Sequence, residues 1–383
     1  MARVLILGGG FGGLGAATQL RSLLDDRDEV VLVARDERFA MGWTKIWDLV
    51  GIRPLAAGTR DLRSLPERGI RFVHADISAI APDEPGAVTS DGDLAADALV
   101  VALGAAPHPD QVAALDGAFG HDLYSFAALP AAKAALSAFT AGNLLVAVMG
   151  QPFKCPPAPF EAVLAIDEHL RERGDRDGVH LTIATPAPGA LPVAGPQASP
   201  AVADALAARD IELRTERLVT DVDAAGGAVT FDTGEVVEVG LLFGVPGSVP
   251  PEVVRTSALA GPGGWIHPDP STLRTEHDRV YAVGDCTTVP TATAALPKAG
   301  VFADAEAQVA ARNVAADLGH AEPATFDGHG FCYLEFPDRE VAVVEGDFFA
   351  EPVPAVTMSP PTRDAFERKL AFERERLEAW FGG

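Results

Sequence analysis

Residues 3–20 read RVLILGGGFGGLGAATQL, and no other stretch narrows the fold as far. An apolar strand, Val4–Leu7, meets Gly8, Gly10 and Gly13 in G-x-G-x-x-G spacing, and Ala17 follows on an amphipathic helix. The glycines let the turn tighten, let the backbone approach a pyrophosphate and let the helix pack on the strand. The N–H groups of the first helical turn then point at the phosphates. Gly8, Gly10, Phe11 and Gly13 are therefore the expected dinucleotide cradle.

The second strand, EVVLVAR at 29–35, departs from the usual pattern. An acid normally ends this strand and binds the ribose hydroxyls. Here Ala34 holds that place, and Arg35 and Asp36 follow. Two readings stay open: Asp36 takes the ribose, or Arg35 stacks on or pairs with the adenosine. Ile77 is counted with these residues as a cofactor contact.

Two later apolar strands end in glycine: DALVVALG at 97–104, closing on Gly104, and RVYAVGD at 279–285, closing on Gly284 and Asp285. The three motifs, in this order, resemble the two-dinucleotide-binding-domain flavoproteins. That resemblance implies FAD, with Gly284 and Asp285 on its ribityl and pyrophosphate side. The expected fold class is α/β, with two Rossmann-like domains of the disulfide-reductase type and a C-terminal α+β piece. The FAD domain is discontinuous, residues 1–107 and 262–320; a second domain, 108–261, is inserted, and 321–383 form the C-terminal piece. The stretch TPAPGALPVAGPQASP at 185–200 reads as a long surface loop.

The second domain lacks its fingerprint. Its strand NLLVAVMG, 143–150, should run into glycines and runs instead into QPFKCPPAPFEA. Pro156 and Pro157 have no N–H to offer a phosphate. The next strand, VHLTIATP, again ends without an acid, so tight NAD(P)H binding is not expected there. Cys155 stands just before a helix starting near Pro159, where proline suits the first turn. The helix N-terminus and Lys154 are expected to lower the thiol pKa.

KCPPAPFE resembles the sulfide-oxidising branch of the same superfamily, the sulfide:quinone oxidoreductases and the flavin subunit of flavocytochrome c sulfide dehydrogenase. LPKAGVFADAEAQVAARNV at 296–314 and GHGFCYLEF at 328–336 match in the same order. The resemblance implies a redox disulfide between Cys155 and Cys332, attacked by hydrosulfide through thiol–disulfide exchange. It implies that Cys332, nearer the flavin, hands on two electrons, and that Glu161 relays a proton. It also implies that Lys298 stabilises the reduced ring. Cys286 reads as a packing residue beside FAD.

Composition bounds the rest. Three distant cysteines make no secreted disulfide framework, and nothing in their spacing suggests zinc. With 54 acids against 30 lysines and arginines, a net charge of −24 opposes nucleic acid and anionic membranes. Lysine is scarce: Lys45, Lys133, Lys154, Lys298 and Lys369. No apolar run spans a bilayer, and the N-terminus enters a strand directly, so the expected compartment is the cytoplasm.

The C-terminal segment RDAFERKLAFERERLEAWFGG, 363–383, forms an amphipathic helix that either docks on its own core or contacts the inner face of the cell membrane. Phe348 and Phe349 line a quinone pocket or belong to the core. A homo-oligomer is compatible with all of this. The expected activity is FAD-dependent oxidation of sulfide, or of a persulfide or thiol, with quinone as acceptor. The alternatives are an NAD(P)H:quinone dehydrogenase and a flavin-bearing electron-transfer or redox-sensing subunit.

Overall fold

The fingerprint strand Arg3–Leu7 is the centre of a five-stranded parallel sheet. In spatial order the strands are Val280–Ala282, Ala98–Val101, Arg3–Leu7, Glu29–Ala34 and Arg71–His74. Val4, Leu5, Ile6 and Leu7 are all fully buried, as expected where both faces of a parallel sheet are covered. One face is covered by the fingerprint helix, Phe11–Leu23, and by the helix Gly300–Asp317. The two helices approach closely at Gly15, where an added Cβ would lie 2.6 Å from Asp304 Oδ1. The other face packs on Val254, Leu259 and the antiparallel strands Ile77–Ala81, Gly86–Thr89 and Gly92–Ala95. The computed structural model describes residues 1–115 and 119–382.

A second five-stranded parallel sheet repeats the pattern: Gly120–Asp122, Leu241–Val245, Gly142–Val148, Val179–Ala184 and Ile211–Arg214. It too carries a three-stranded antiparallel appendage, Val219–Asp223, Ala228–Phe231 and Val236–Glu238. The helix Ala158–Arg173 packs on this sheet and is held in register by Asp167. That fully buried carboxylate is bound by Arg171 at 2.9 Å and also by Arg176 and Arg209. Three guanidiniums hold its pKa below the usual carboxylate range against the cost of burial.

Residues 185–200 are a surface loop only in part: Pro188, Val193, Pro196 and Gln197 are exposed, but the rest is structured or buried. A short turn, Pro192–Ala194, and the start of the helix Ala198–Ala207 lie within them. Ala190, Leu191, Ala194 and Ala198 are buried, because small apolar side chains between the prolines let the chain lie against the core.

The C-terminal piece is a three-stranded antiparallel sheet, His329–Phe336, Glu340–Asp347 and Ala355–Met358, followed by the helix Arg363–Phe381. Thr362 caps this helix by accepting a hydrogen bond from Ala365 N–H at 3.1 Å. The helix turns Phe366, Phe372, Leu377 and Trp380 into the body of the protein. Trp380 meets Phe11 and Phe39 edge-on, with ring centroids 5.3 and 5.2 Å away. The apolar face is thus covered by the chain itself. Phe348 is buried edge-on against Phe302, and half-buried Phe349 packs edge-on against Phe326. Among the described residues no helix is long and apolar enough to cross a membrane.

Candidate active site

Two glycines of the first turn are steric requirements. A Cβ on Gly8 would lie 2.2 Å from Ala102 O, and one on Gly13 would lie 1.8 Å from Gly8 O. Gly10 is open on its side-chain face, and no side chain caps the helix that follows. The helix start is thus uncapped and has room beside it, as a pyrophosphate bound by first-turn N–H groups needs. Phe11 turns its ring into the aromatic cluster with Phe39 and Trp380 and leaves its backbone at the helix start. Gly104 and Gly284 both adopt positive φ, 67° and 73°, at the C-terminal edge of the same sheet. Burial raises the pKa of Asp285 against the charges of Lys298 and Lys154. These groups fit FAD.

Arg35 and Asp36 are each 77% exposed and 3.7 Å apart, at the surface beyond the second strand. Ile77 is half-buried against the core of the first sheet. Cys286 is fully buried, its thiol directed at the carbonyls of Val101 and Val283, and burial pushes its pKa up to about 12.

Cys155 is placed by both halves of the molecule. Its N–H donates to the carbonyl of Lys298 at 2.7 Å, and its own carbonyl accepts from Ala158 N–H at 2.9 Å. The Tyr124 hydroxyl donates to the same carbonyl at 3.1 Å. These contacts hold Cys155 at φ 50°, a left-handed conformation that costs a non-glycine residue about 1 kcal/mol. Cys332, on the strand His329–Phe336, lies within electrostatic range, and both are free thiols.

The expected lowering of the Cys155 pKa is overturned. Burial, the Cys332 sulfur and the Glu161 carboxylate push the thiol well above its ordinary value, and Lys369 opposes them only in part. The helix begins at Ala158, and the N–H of that residue lowers the thiol pKa too little to offset burial. The Lys154 ammonium turns towards the Ala105 carbonyl, 3.5 Å away. Burial likewise pushes Cys332 up to about 12.

Glu161 is 5% exposed. Its Oε1 accepts from Glu335 N–H at 2.9 Å and from Lys369 Nζ at 3.1 Å. Lys369 also donates to Glu335 Oε2 at 2.7 Å and lies 5.2 and 5.4 Å from the Trp43 and Trp47 rings. One ammonium therefore serves two carboxylates. Burial and the Glu335 charge raise the Glu161 pKa, while Lys369 lowers it. The sequence reading of this site had not included Lys369. The signal was present: Lys369 is three residues from both Phe366 and Phe372, on the apolar stripe of its helix.

Lys298 is 9% exposed. Its ammonium donates to the carbonyls of Asp285 at 2.8 Å and Thr287 at 3.1 Å and lies 3.6 Å from the Trp265 ring centroid. One residue thus bonds the Gly284–Asp285 motif through its side chain and the cysteine loop through its backbone.

In the second domain, the place of a nucleotide fingerprint is filled. Gln111 donates to Met149 O and accepts from Gly247 N–H, both at 2.7 Å, closing the space beside Gly150.

Residues 168–299 match the pyridine nucleotide-disulphide oxidoreductase family. The chain is 24% identical over 365 residues to the mitochondrial sulfide:quinone oxidoreductase of Mus musculus, covering 91% of this chain and 79% of that protein. It is 27% identical over 307 residues to a demethylphylloquinone reductase of Synechocystis, covering 74% and 71%. The crystal structure of sulfide:quinone oxidoreductase from Aquifex aeolicus shares its fold, with a TM-score of 0.86 at 22% identity over 100% of this chain and 92% of that one. The glycine cradle, the repeated Rossmann-like sheets and these similarities together make the chain an FAD-dependent oxidoreductase, homologous to the sulfide:quinone oxidoreductases.

Proposed function

We propose that the protein oxidises sulfide, or a small persulfide or thiol, through Cys155 and Cys332 and passes two electrons by way of FAD to a quinone. The observation that carries this reading is the meeting of Cys155, Cys332 and Glu161 beside a Lys298 that also bonds the cofactor motif. Gly8, Gly10, Gly13, Gly104, Gly284 and Asp285 would hold FAD, with Arg35 or Asp36 at its adenosine end. FAD supplies the two-electron relay.

In the oxidised protein, hydrosulfide attacks Cys155 Sγ of a Cys155–Cys332 disulfide. A new sulfur–sulfur bond forms, the old one breaks, and its electron pair leaves on Cys332 Sγ. With both thiol pKa values raised, the reduced cysteines stay protonated at neutral pH and need a nearby base. Glu161, its own pKa raised by burial, is placed to take that proton, and Lys369 with Glu335 fixes its orientation.

The similarity to a demethylphylloquinone reductase favours a second reading, an NAD(P)H-driven quinone reductase. Against it stand the prolines and Gln111 where the second fingerprint would be. Anaerobic titration of the purified flavoprotein separates the two. Sulfide is expected to bleach the flavin, and Cys155→Ser or Cys332→Ser to abolish that. Bleaching by NADH and not by sulfide would overturn the proposal.

A further inference from the structure

Four of the five lysines gather around the cysteine site, in a chain whose net charge is −24. Two have partners that explain them. Lys369 neutralises Glu161 and Glu335, and Lys298 ties the cofactor motif to the cysteine loop. Lys45 and Lys154 have no such explanation: among the described residues, neither forms an ion pair.

Lys45 sits on the short helix Thr44–Leu49 and donates to the Tyr124 carbonyl at 2.6 Å. Its ammonium lies 4.5 Å from the centroid of Phe126, a ring 43% exposed to solvent. Tyr124 in turn bonds the Cys155 carbonyl. Exposed ring, lysine and tyrosine therefore form a chain of contacts from solvent to the backbone of Cys155. The Lys45 ammonium feels the charges of Lys154, Asp122 and Cys155. Asp122 faces Lys45 and Asp285 faces Lys154, and burial drives both carboxyls towards their neutral form. Two half-buried cations within electrostatic range, Lys45 bonded to Tyr124 O and Lys154 beside the Cys155 it precedes in sequence, repel each other and are costly to desolvate. Burial and Lys154 bring the Lys45 pKa down to about 8. A bound anion offsets both costs. The strongly acidic surface elsewhere would repel an anionic reactant, so a local cationic mouth is what such a reactant requires.

We propose that Lys45 and Lys154, rimmed by Tyr124 and Phe126, form an anion-binding site that delivers the sulfur substrate to Cys155 as a small monoanion, hydrosulfide or a persulfide anion, in preference to its neutral form. This rests on the sulfide-oxidising reading above, and it identifies the charge state of the substrate and two residues that select it.

The test compares alkylation of Cys155 by iodoacetate and by iodoacetamide in the Cys332→Ser holoprotein, followed by mass spectrometry of the Cys155 peptide. The reagents are close in size and differ in charge. Both rates scale with the same thiolate fraction, so their ratio cancels any change in thiol pKa. The iodoacetate:iodoacetamide ratio is expected to fall about tenfold in Lys45→Met/Lys154→Met and to be retained in Lys45→Arg/Lys154→Arg. Added salt without any substitution gives an independent check. With a cationic mouth, salt lowers the ratio; with only the acidic surface acting, salt raises it or leaves it flat. A ratio unmoved by the methionine substitutions, or one that salt fails to lower, overturns the proposal. Because no sulfide is present, failure of the sulfide reading appears separately, as a flavin that sulfide does not bleach while the alkylation ratio still answers to the lysines.

Discussion

Lys369→Met is the perturbation that probes the buried charge network most directly. The ammonium is 1% exposed and serves Glu161 and Glu335, which are themselves largely buried. Methionine of similar length leaves two carboxylates facing each other without a cation. Removing one partner of a buried ion pair costs about 3–5 kcal/mol, and burial here leaves little solvent screening to reduce it. The penalty depends on pH. A carboxyl whose folded pKa lies above its unfolded value keeps a proton that the unfolded chain releases, so stability falls as pH rises from the unfolded to the folded pKa. Glu161 is already raised by burial and by Glu335, and loss of Lys369 raises it further, extending that window upward. The variant is therefore expected to be most destabilised near pH 8. Nearer pH 5.5 the cost shrinks, because a protonated Glu161 can donate to Glu335. Urea unfolding of the holoprotein at the two pH values, against the unsubstituted protein, measures the difference. Replacing Glu161 and Glu335 by Gln in the same variant should recover most of the loss, since no uncompensated charge remains. A penalty equal at both pH values, or one the glutamines fail to relieve, would refute the electrostatic account and leave methionine misfit as its cause.

Two further substitutions test the cofactor side. Gly13→Ala places a Cβ 1.8 Å from the Gly8 carbonyl oxygen, so the turn must open; the protein is expected to purify without its yellow colour, and a normal flavin-to-protein absorbance ratio would contradict the cradle geometry. Glu306 is 3% exposed, and burial lifts its pKa from 4.5 to about 7. Its folded pKa is raised, so it withdraws stability as pH rises between those two values, in total about 3 kcal/mol at 1.36 kcal/mol per unit. Glu306→Gln should therefore gain stability relative to the parent as pH rises from about 5 to about 8, and a difference independent of pH would show that Glu306 is not titrating in that window.

The cofactor half was legible because its signals are local. The fingerprint, its strand and its helix lie within residues 3–23, and the close approaches at Gly8 and Gly13 are what that spacing implies. The charge network was not legible in the same way. Glu161, Glu335 and Lys369 lie on three different elements, and a lysine in a helix alternating Glu with Arg reads as a solvated face. The thiol expectation failed for a related reason. The first helical N–H, that of Ala158, does favour the thiolate, but burial, Cys332 and Glu161, which come from distant elements, outweigh it. Residues 185–200 misled in part because proline and glycine signal turns, whereas burial there follows from alanine and leucine.

The two halves of the chain share one architecture and differ in what fills the turn after the first strand of the sheet. In the first, glycines leave room for a phosphate. In the second, the corresponding strand, Gly142–Val148, leads into prolines and a cysteine that reaches out of its own domain to bond the Lys298 backbone beside the cofactor motif. Where glycines would admit a phosphate, this turn carries prolines and a thiol, and the Cys155 N–H bonds the Lys298 carbonyl beside the Gly284–Asp285 motif. Cys155 is held by Tyr124, which follows the strand Gly120–Asp122 of the second sheet, and by Lys298, which precedes the helix Gly300–Asp317 on the first. A change at either anchor would therefore displace the sulfur while the buried centres of both sheets, Val4–Leu7 in one and Leu144–Val148 in the other, stay in place.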